Sequence, residues 1–205
     1  MIKIDYKNFE IQLFDALNDD LDLIIKSKSN EIDFGSKKEK TGYISRHYIV
    51  IKELAVEISS VTIYETNSTS GIYEDTFAVT DDKLLVISGN EIYCLEIPSL
   101  KLIWHKEFDQ AVNFALYKLE KDFIIYGEIG IFKITKEGEI VWSFYGRDIW
   151  VNLEGKNPIS IESDKIRLFD FESNEYVLDF NGKELEFIPR KIKTENKKKW
   201  WQIFG

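Results

Sequence analysis

Three stretches of the chain repeat one unit: a short strand, a tight turn, a second strand, another turn and a third strand. They are KLLVISGNEIYCLEIPSLKLIWHKEF from Lys83, DFIIYGEIGIFKITKEGEIVWSFYG from Asp122 and PISIESDKIRLFDFESNEYVLDFNG from Pro158. Trp104 and Trp142 stand 38 positions apart, and Leu178, 36 further on, takes the corresponding apolar place in the third unit. Ile92, Ile131 and Ile166 recur in step with them. A period of about 40 residues holding three or four short strands is the spacing of β-propeller blades. It fixes the architecture before any chemistry is considered.

The chain from Thr41 onward is patterned the same way. SRHYIVIK and AVEISSVTIYET alternate, the second around Ser59-Ser60, a step that suits a β-bulge. Turn signals then arrive at Ser88-Gly89-Asn90, Pro98-Ser99, Glu137-Gly138, Gly146-Arg147-Asp148, Ser173-Asn174 and Asn181-Gly182. The expected fold is all-β: a small β-propeller or propeller-like array of about four to five short antiparallel blades, four being preferred. Near the N-terminus IKIDY and FEIQLF alternate, and either strand is expected to close the ring by joining the last blade, because an open edge invites aggregation. FDALNDDLDLIIKSKSN carries Leu17, Leu21 and Ile24 at helical spacing, and GSKKEKTG reads as a loop. Residues 1–189 are expected to form one domain, followed by a basic, aromatic tail over 190–205.

Charge separates these two parts. The tail holds Arg190, Lys191, Lys193, Lys197, Lys198 and Lys199 against Glu195, a balance of +5, which leaves −14 for the rest of a chain whose net charge is −9. So acidic a body repels phosphate backbones, which argues against direct nucleic-acid binding. It steers basic proteins toward itself and disfavours acidic ones. Cys94 is the single cysteine and has no disulfide partner within the chain, which favours a reducing compartment. Lys3, Asp5, Lys7 and Glu10 interrupt any signal-like apolar run at the start, and no stretch is long and apolar enough for a membrane span. The expectation is a monomeric cytoplasmic protein with no membrane role.

Chemistry-bearing residues are sparse. The only two histidines, His47 beside Tyr48 and His105 beside Trp104, are expected on solvent faces of strands. Cys94, between apolar neighbours, is expected to be buried and inert. Asp19-Asp20-Leu21-Asp22 lacks the order of a calcium loop. Gly127-Glu128-Ile129-Gly130 lacks the third glycine and the following helix of a phosphate loop, so it reads as a hairpin turn. No catalytic, cofactor-binding or metal-binding residue is assigned, and no cofactor is expected. Trp104 and Trp142 are expected to pack between blades. Trp150, beside Arg147 and Asp148 in GRDIW, is expected to be exposed and to bind a partner, since tryptophan and arginine dominate protein-binding hot spots. The acidic pairs Glu74-Asp75 and Asp81-Asp82 complete the candidate partner surface.

LLVISGNEIYCLEIPSLKLIWHKEF and FIIYGEIGIFKITKEGEIVWSFYG resemble the repeats of quinoprotein-like and WD-type β-propellers. The resemblance implies bladed sheets. Pro98-Ser99 and Lys136-Glu137-Gly138 replace the Asp-x-x-Thr-Gly turn of those families, which removes the basis for a quinone cofactor. In size, charge and architecture the whole chain also resembles bacterial immunity proteins of contact-dependent growth inhibition systems. Some of those block nuclease toxins, EndoU-type RNases among them, by covering the active site. That resemblance implies a non-catalytic protein that binds and inhibits a basic toxin, and it carries over no residues. The alternatives are a glycan-active or other hydrolytic enzyme using paired carboxylates, and a structural adaptor.

Overall fold

A computed structural model describes residues 1–15, 32–35, 45–65 and 70–190, and every regular element among them is a strand. The expected helix after Phe14, the Asp19–Asp22 cluster, the GSKKEKTG loop and the tail beyond Arg190 lie outside the described residues. The protein is an all-β, propeller-like array of four sheets. The first holds β1 (Ile2–Tyr6), β2 (Phe9–Asp15), β3 (Ile32–Gly35), β4 (Ser45–Glu53) and β5 (Val56–Glu65), in the order β1-β2-β4-β5-β3. Its pairs are antiparallel except β3, which adds parallel to β5. The second blade is β6 (Phe77–Thr80), β7 (Lys83–Ser88), β8 (Glu91–Glu96) and β9 (Leu102–Glu107). β10 (Asn113–Lys118), β11 (Asp122–Gly127), β12 (Gly130–Thr135) and β13 (Ile140–Tyr145) form the third. The fourth is β14 (Ile159–Ile161), β15 (Ile166–Phe169), β16 (Glu175–Leu178) and β17 (Glu184–Ile188). These three blades are meanders, antiparallel throughout.

The repeat therefore has four strands, one more than the sequence unit. The first two units open on the second strand of a blade, at Lys83 and Asp122, whereas the unit from Pro158 opens on the first strand of its own. Leu178 consequently ends a third strand and is not the counterpart of Trp104 and Trp142. The true counterpart is Glu186, opposite Val177, just as Trp104 lies opposite Cys94 and Trp142 opposite Lys133.

Apolar residues on both faces explain the runs LLVIS and FIIYG. Leu84 and Val86 pack toward the first blade with Ile11, Ile49, Ile51 and Ile63, while Leu85 and Ile87 pack toward the third with Phe123, Ile125 and Phe132. In β11, Ile124 and Tyr126 turn instead to Ile159, Ile166, Leu168 and Tyr176 of the fourth. A strand covered on both sides reads as a continuous hydrophobic run. The three clusters join first to second, second to third and third to fourth blade; among the described residues none joins fourth to first. The N-terminal strands were expected to complete the last blade, yet β1 and β2 build the first, and β17 supplies the outer strand of the last.

The outward faces of the first and fourth blades carry charged residues. On the first blade Lys3, Asp5, Glu10, Gln12 and Lys52 line a shallow cavity of about 530 Å³. On the fourth, Arg167 bridges Glu162, at 3.0 Å, and Glu175.

One bulge recurs in every outer strand, where Ile58, Ile103, Val141 and Leu185 are skipped by the pairing. The residue just beyond it reaches the next blade. Ser59 Oγ donates to the carbonyl of Pro98 at 2.5 Å, Trp104 Nε1 to that of Lys136 at 3.3 Å and Trp142 Nε1 to that of Phe180 at 3.1 Å. Lys136 and Phe180 hold the same place in matching turns. Thr135 Oγ1 accepts the N–H groups of Glu137 and Glu139, as Asp179 Oδ1 accepts those of Asn181 and Lys183. Each turn ends on a left-handed glycine, Gly138 at φ +76° and Gly182 at φ +80°, against which the indole lies.

Gly155, at φ +72°, has open space where a Cβ would go, whereas a Cβ on Gly182 would lie 2.6 Å from the Trp142 ring. Gly155→Ala is expected to cost about 1 kcal/mol, the conformational term alone. Gly182→Ala should cost about 2–3 kcal/mol, because the indole must also move. Urea unfolding of the two variants checks this; equal losses would contradict the packed latch.

Candidate functional site

The acidic pairs lie at opposite ends of β6 and do different things. Asp81 and Asp82 follow it as the two left-handed residues of a hairpin turn, at φ +48° and +59°. Asp81 takes a hydrogen bond from Lys136 of the third blade, and that bond holds its carboxyl below the usual range. Asp82 accepts from Lys7 at 2.5 Å and from the Tyr6 hydroxyl at 3.2 Å, both of the first blade, and the Lys7 bond lowers it likewise. These two carboxylates tie three blades together along one rim.

Glu74 and Asp75 precede β6 at its other end, both exposed, and neither carboxylate has an ion pair among the described residues. Their turn is rigid. Thr76 is buried; its Oγ1 accepts the N–H of Tyr73 at 3.0 Å and donates to the Tyr73 carbonyl at 3.0 Å. The Asp75 carbonyl accepts the N–H of Leu116 at 2.7 Å, which pins the turn to the inner strand of the next blade. Tyr73 itself is 64% exposed, and its ring folds back over Gly71, where a Cβ would meet it at 2.7 Å. Half-buried Tyr117 stands nearby, its phenol raised by burial and by the charge of Asp75. The result is a fixed, acceptor-rich tip with two phenols, suited to a cationic side chain. Tyr73 was not singled out from the sequence; an aromatic directly before an acidic pair, two residues after a glycine, was the available signal.

Trp150 is not on the surface. Its side chain is fully buried, 5.2 Å from Tyr176 and 5.9 Å from Phe144 between ring centroids. The segment from β13 to β14 crosses the seam between third and fourth blades, so its tryptophan plugs the top of that core. Gly146 permits this, since a Cβ there would come within 2.7 Å of the indole. The Trp150 carbonyl accepts the Tyr126 hydroxyl, and burial raises that phenol well above its ordinary range. Arg147 is exposed, with its guanidinium 3.7 Å over the Phe187 ring, and Asp148 turns back to accept the N–H of Ile149 at 2.8 Å. Neither is brought together with the Tyr73 tip by any contact among the described residues.

The glycine hairpin Gly127–Gly130 does cradle an anion, but the anion is the protein's own. Buried Asp109, on the link into the third blade, accepts the N–H groups of Ile129 at 2.9 Å and Gly130 at 2.8 Å on Oδ2, and that of Ala111 at 2.8 Å on Oδ1. A Cβ on Gly127 would collide with that carboxylate. The nest is filled, which leaves no place for a phosphate.

His47, expected at the surface, is fully buried. It shares a face of β4 with Ile49 and Ile51, and its Nε2 lies 3.2 Å from Ser70 Oγ, which accepts the N–H of Gly89 at 2.7 Å. Burial pushes its pKa down to about 4, with Asp15 opposing. His105 is exposed as expected, 3.1 Å from Glu91 and stacked on Tyr93. Cys94 is buried in the seam between second and third blades, and burial pushes its thiol up to about 11, which keeps it unreactive. Among the described residues no group of three His, Cys, Asp or Glu side chains is arranged to hold a metal.

No known family matches the chain, and no curated protein does. Solved structures are similar to it in part. BamB from Moraxella catarrhalis is 16% identical over 75% of this chain and 48% of its own, at a TM-score of 0.49. BBS1N, solved in complex with ARL6DN, is 12% identical over 74% of this chain and 50% of its own, at 0.49. The computationally designed Ika8 protein is 11% identical over 90% of this chain and 60% of its own, also at 0.49. The chain thus spans about half to three-fifths of those proteins. Likeness of that degree says nothing of activity or partners.

The buried histidine sets a pH dependence. The folded protein holds His47 neutral down to about pH 4, whereas the unfolded chain protonates it below about 6.5. Its contribution is therefore complete above pH 6.5 and is lost as the pH falls toward 4, by up to about 3 kcal/mol. Comparing urea unfolding of the protein and of His47→Gln at pH 7.0 and 4.5 isolates it. The variant should lose less stability on acidification; equal losses would contradict a buried neutral imidazole.

Proposed function

We propose that this is a non-catalytic protein-binding domain, and that it acts as an immunity protein which binds and inhibits a basic, nuclease-type bacterial toxin. The observation that carries the reading is the exposed, hydrogen-bonded Tyr73-Glu74-Asp75 tip on a chain of net charge −9. An aromatic ring beside two carboxylates with no ion pair among the described residues supplies a desolvating anchor and a field that attracts cations. Because the turn is already ordered, little conformational entropy is lost on binding. A nuclease must present a positive surface to its own substrate, and a rigid acidic tip competes for that surface directly.

The reading favours the cytoplasm as the place of action, where an incoming toxin would meet its inhibitor. It needs no cofactor, metal or nucleic-acid contact from this chain.

The test uses the purified chain and a basic ribonuclease toxin domain of the EndoU type, with RNA cleavage and association rate as readouts. Stoichiometric loss of cleavage is expected, with association slowed about tenfold or more between low and high salt. Glu74→Lys with Asp75→Lys should slow association about tenfold with little effect on folding, as exposed substitutions do. Full RNA cleavage in the presence of excess protein, or association indifferent to salt and to both substitutions, would overturn the proposal.

A further inference from the structure

Where nothing covers it, the outer strand of a blade ends its sheet with one row of main-chain N–H and C=O groups unpaired within that sheet, and such an edge invites a further strand. Three of the four edges are blunted. β5 is covered by β3, whose Ile32–Gly35 pair with Val61–Tyr64. β9, LIWHKE, carries His105, Lys106 and Glu107, and β17, ELEFI, carries Glu184 and Glu186. Charged residues on an edge are the usual device against pairing.

β13 differs from all of these. IVWSFY contains no charged residue. It exposes Ile140 at 54%, Val141 at 51% and Tyr145 at 57%. The bulge at Val141 disturbs only its first part, and Trp142–Tyr145 stay in regular register with Lys133–Gly130. The edge is also firmly backed. Trp142 is held by the Phe180 carbonyl, Phe144 packs on Trp150, and Tyr145 meets Phe132 edge-on at 6.0 Å. An ordered, uncharged, partly apolar edge is a template for β-augmentation.

Charge decides what kind of strand fits. Exposed Glu137 and Glu139 lie in the turn that leads into β13, and exposed Glu184 and Glu186 lie on the neighbouring outer strand. Glu139 is bonded to Lys106 at 2.6 Å and Glu137 is 3.6 Å from Lys83, whereas Glu184 and Glu186 have no ion pair among the described residues. A second copy of this chain would bring the same carboxylates and a further net charge of −9 to the contact. An extended segment with alternating apolar and basic side chains would instead cover Ile140 and Tyr145 and place its cations among the glutamates.

We infer that β13 is the docking edge for an extended, basic strand of a partner protein, which joins the third blade as a fifth strand. The first blade already contains the equivalent arrangement in its own chain, with β3 added outside β5. The inference does not require the partner to be a toxin, and it uses a different surface from the Tyr73 tip, which lies at an inner strand of the second blade.

The probe is a short synthetic peptide of alternating lysine and valine, added to the full chain, with the same peptide carrying proline in place of alternate valines as control. Backbone amide exchange and peptide affinity are read residue by residue. Protection is expected over 140–146 and not over 102–107 or 184–188, by about tenfold in exchange rate. Tyr145→Lys and Val141→Lys, both at exposed positions, should abolish that protection, whereas Glu74→Lys with Asp75→Lys should leave it intact. Equal action of the proline-containing peptide, protection spread evenly over β9, β13 and β17, or a dimer of this chain that itself protects β13 would each overturn the inference.

Discussion

The fold depends on a hydrogen bond and a stacked indole that pass from the outer strand of one blade to a turn of the next. Ser59, Trp104 and Trp142 hold one position in successive blades, each just past a bulge, and each donates to a carbonyl of the following blade. The bulge aims the side chain outward along the array, and the left-handed glycine at the receiving turn clears the surface that the indole covers. Each such bond is worth about 1 kcal/mol net. Its importance is geometric, because it fixes the angle at which apolar faces meet. Glu186, at the fourth such position, is an acceptor with no following blade among the described residues. The series ends where the latch residue changes type.

Inner links complete the scaffold by absorbing the groups that most resemble chemistry. Asp109 fills the glycine hairpin Gly127–Gly130, Trp150 fills the seam below Gly146, and Asp81 and Asp82 tether the first and third blades to the second. Among the surfaces left exposed are a tyrosine beside two carboxylates at an inner strand, and an uncharged outer edge on the third blade. Both offer binding surface, and both lie beside negative charge.

Much of the architecture was legible in the sequence. Runs such as LLVIS and FIIYG announce strands covered on both faces, and the spacing of Trp104 and Trp142 gives the blade length directly. The third unit was set one strand out of step because an apolar residue, Leu178, was sought where the structure has Glu186. Hydrophobic pattern does not mark a position that faces no further blade among the described residues. Trp150 misled for a related reason: a loop-like GRDIW says nothing of which seam the link crosses. His47 alternates with Tyr48, but β4 is an interior strand buried on both faces, so alternation does not separate inside from outside there. The candidate site was half legible. Glu74 and Asp75 stand out by charge, while the exposure of Tyr73 follows from its local turn with Thr76 and from the Asp75–Leu116 bond, which forms only once the second and third blades meet.

Successive blades are coupled through the indole and the turn it covers. A double-mutant cycle measures that coupling directly. Trp142→Ala and Gly182→Ala, singly and together, should deviate from additivity by about 1 kcal/mol or more, because removing the indole relieves the clash that an alanine at 182 creates. Trp142→Ala with Gly138→Ala, whose turn instead receives Trp104, should be additive within about 0.5 kcal/mol. Additivity in both pairs would contradict the latch as the interaction that sets the array.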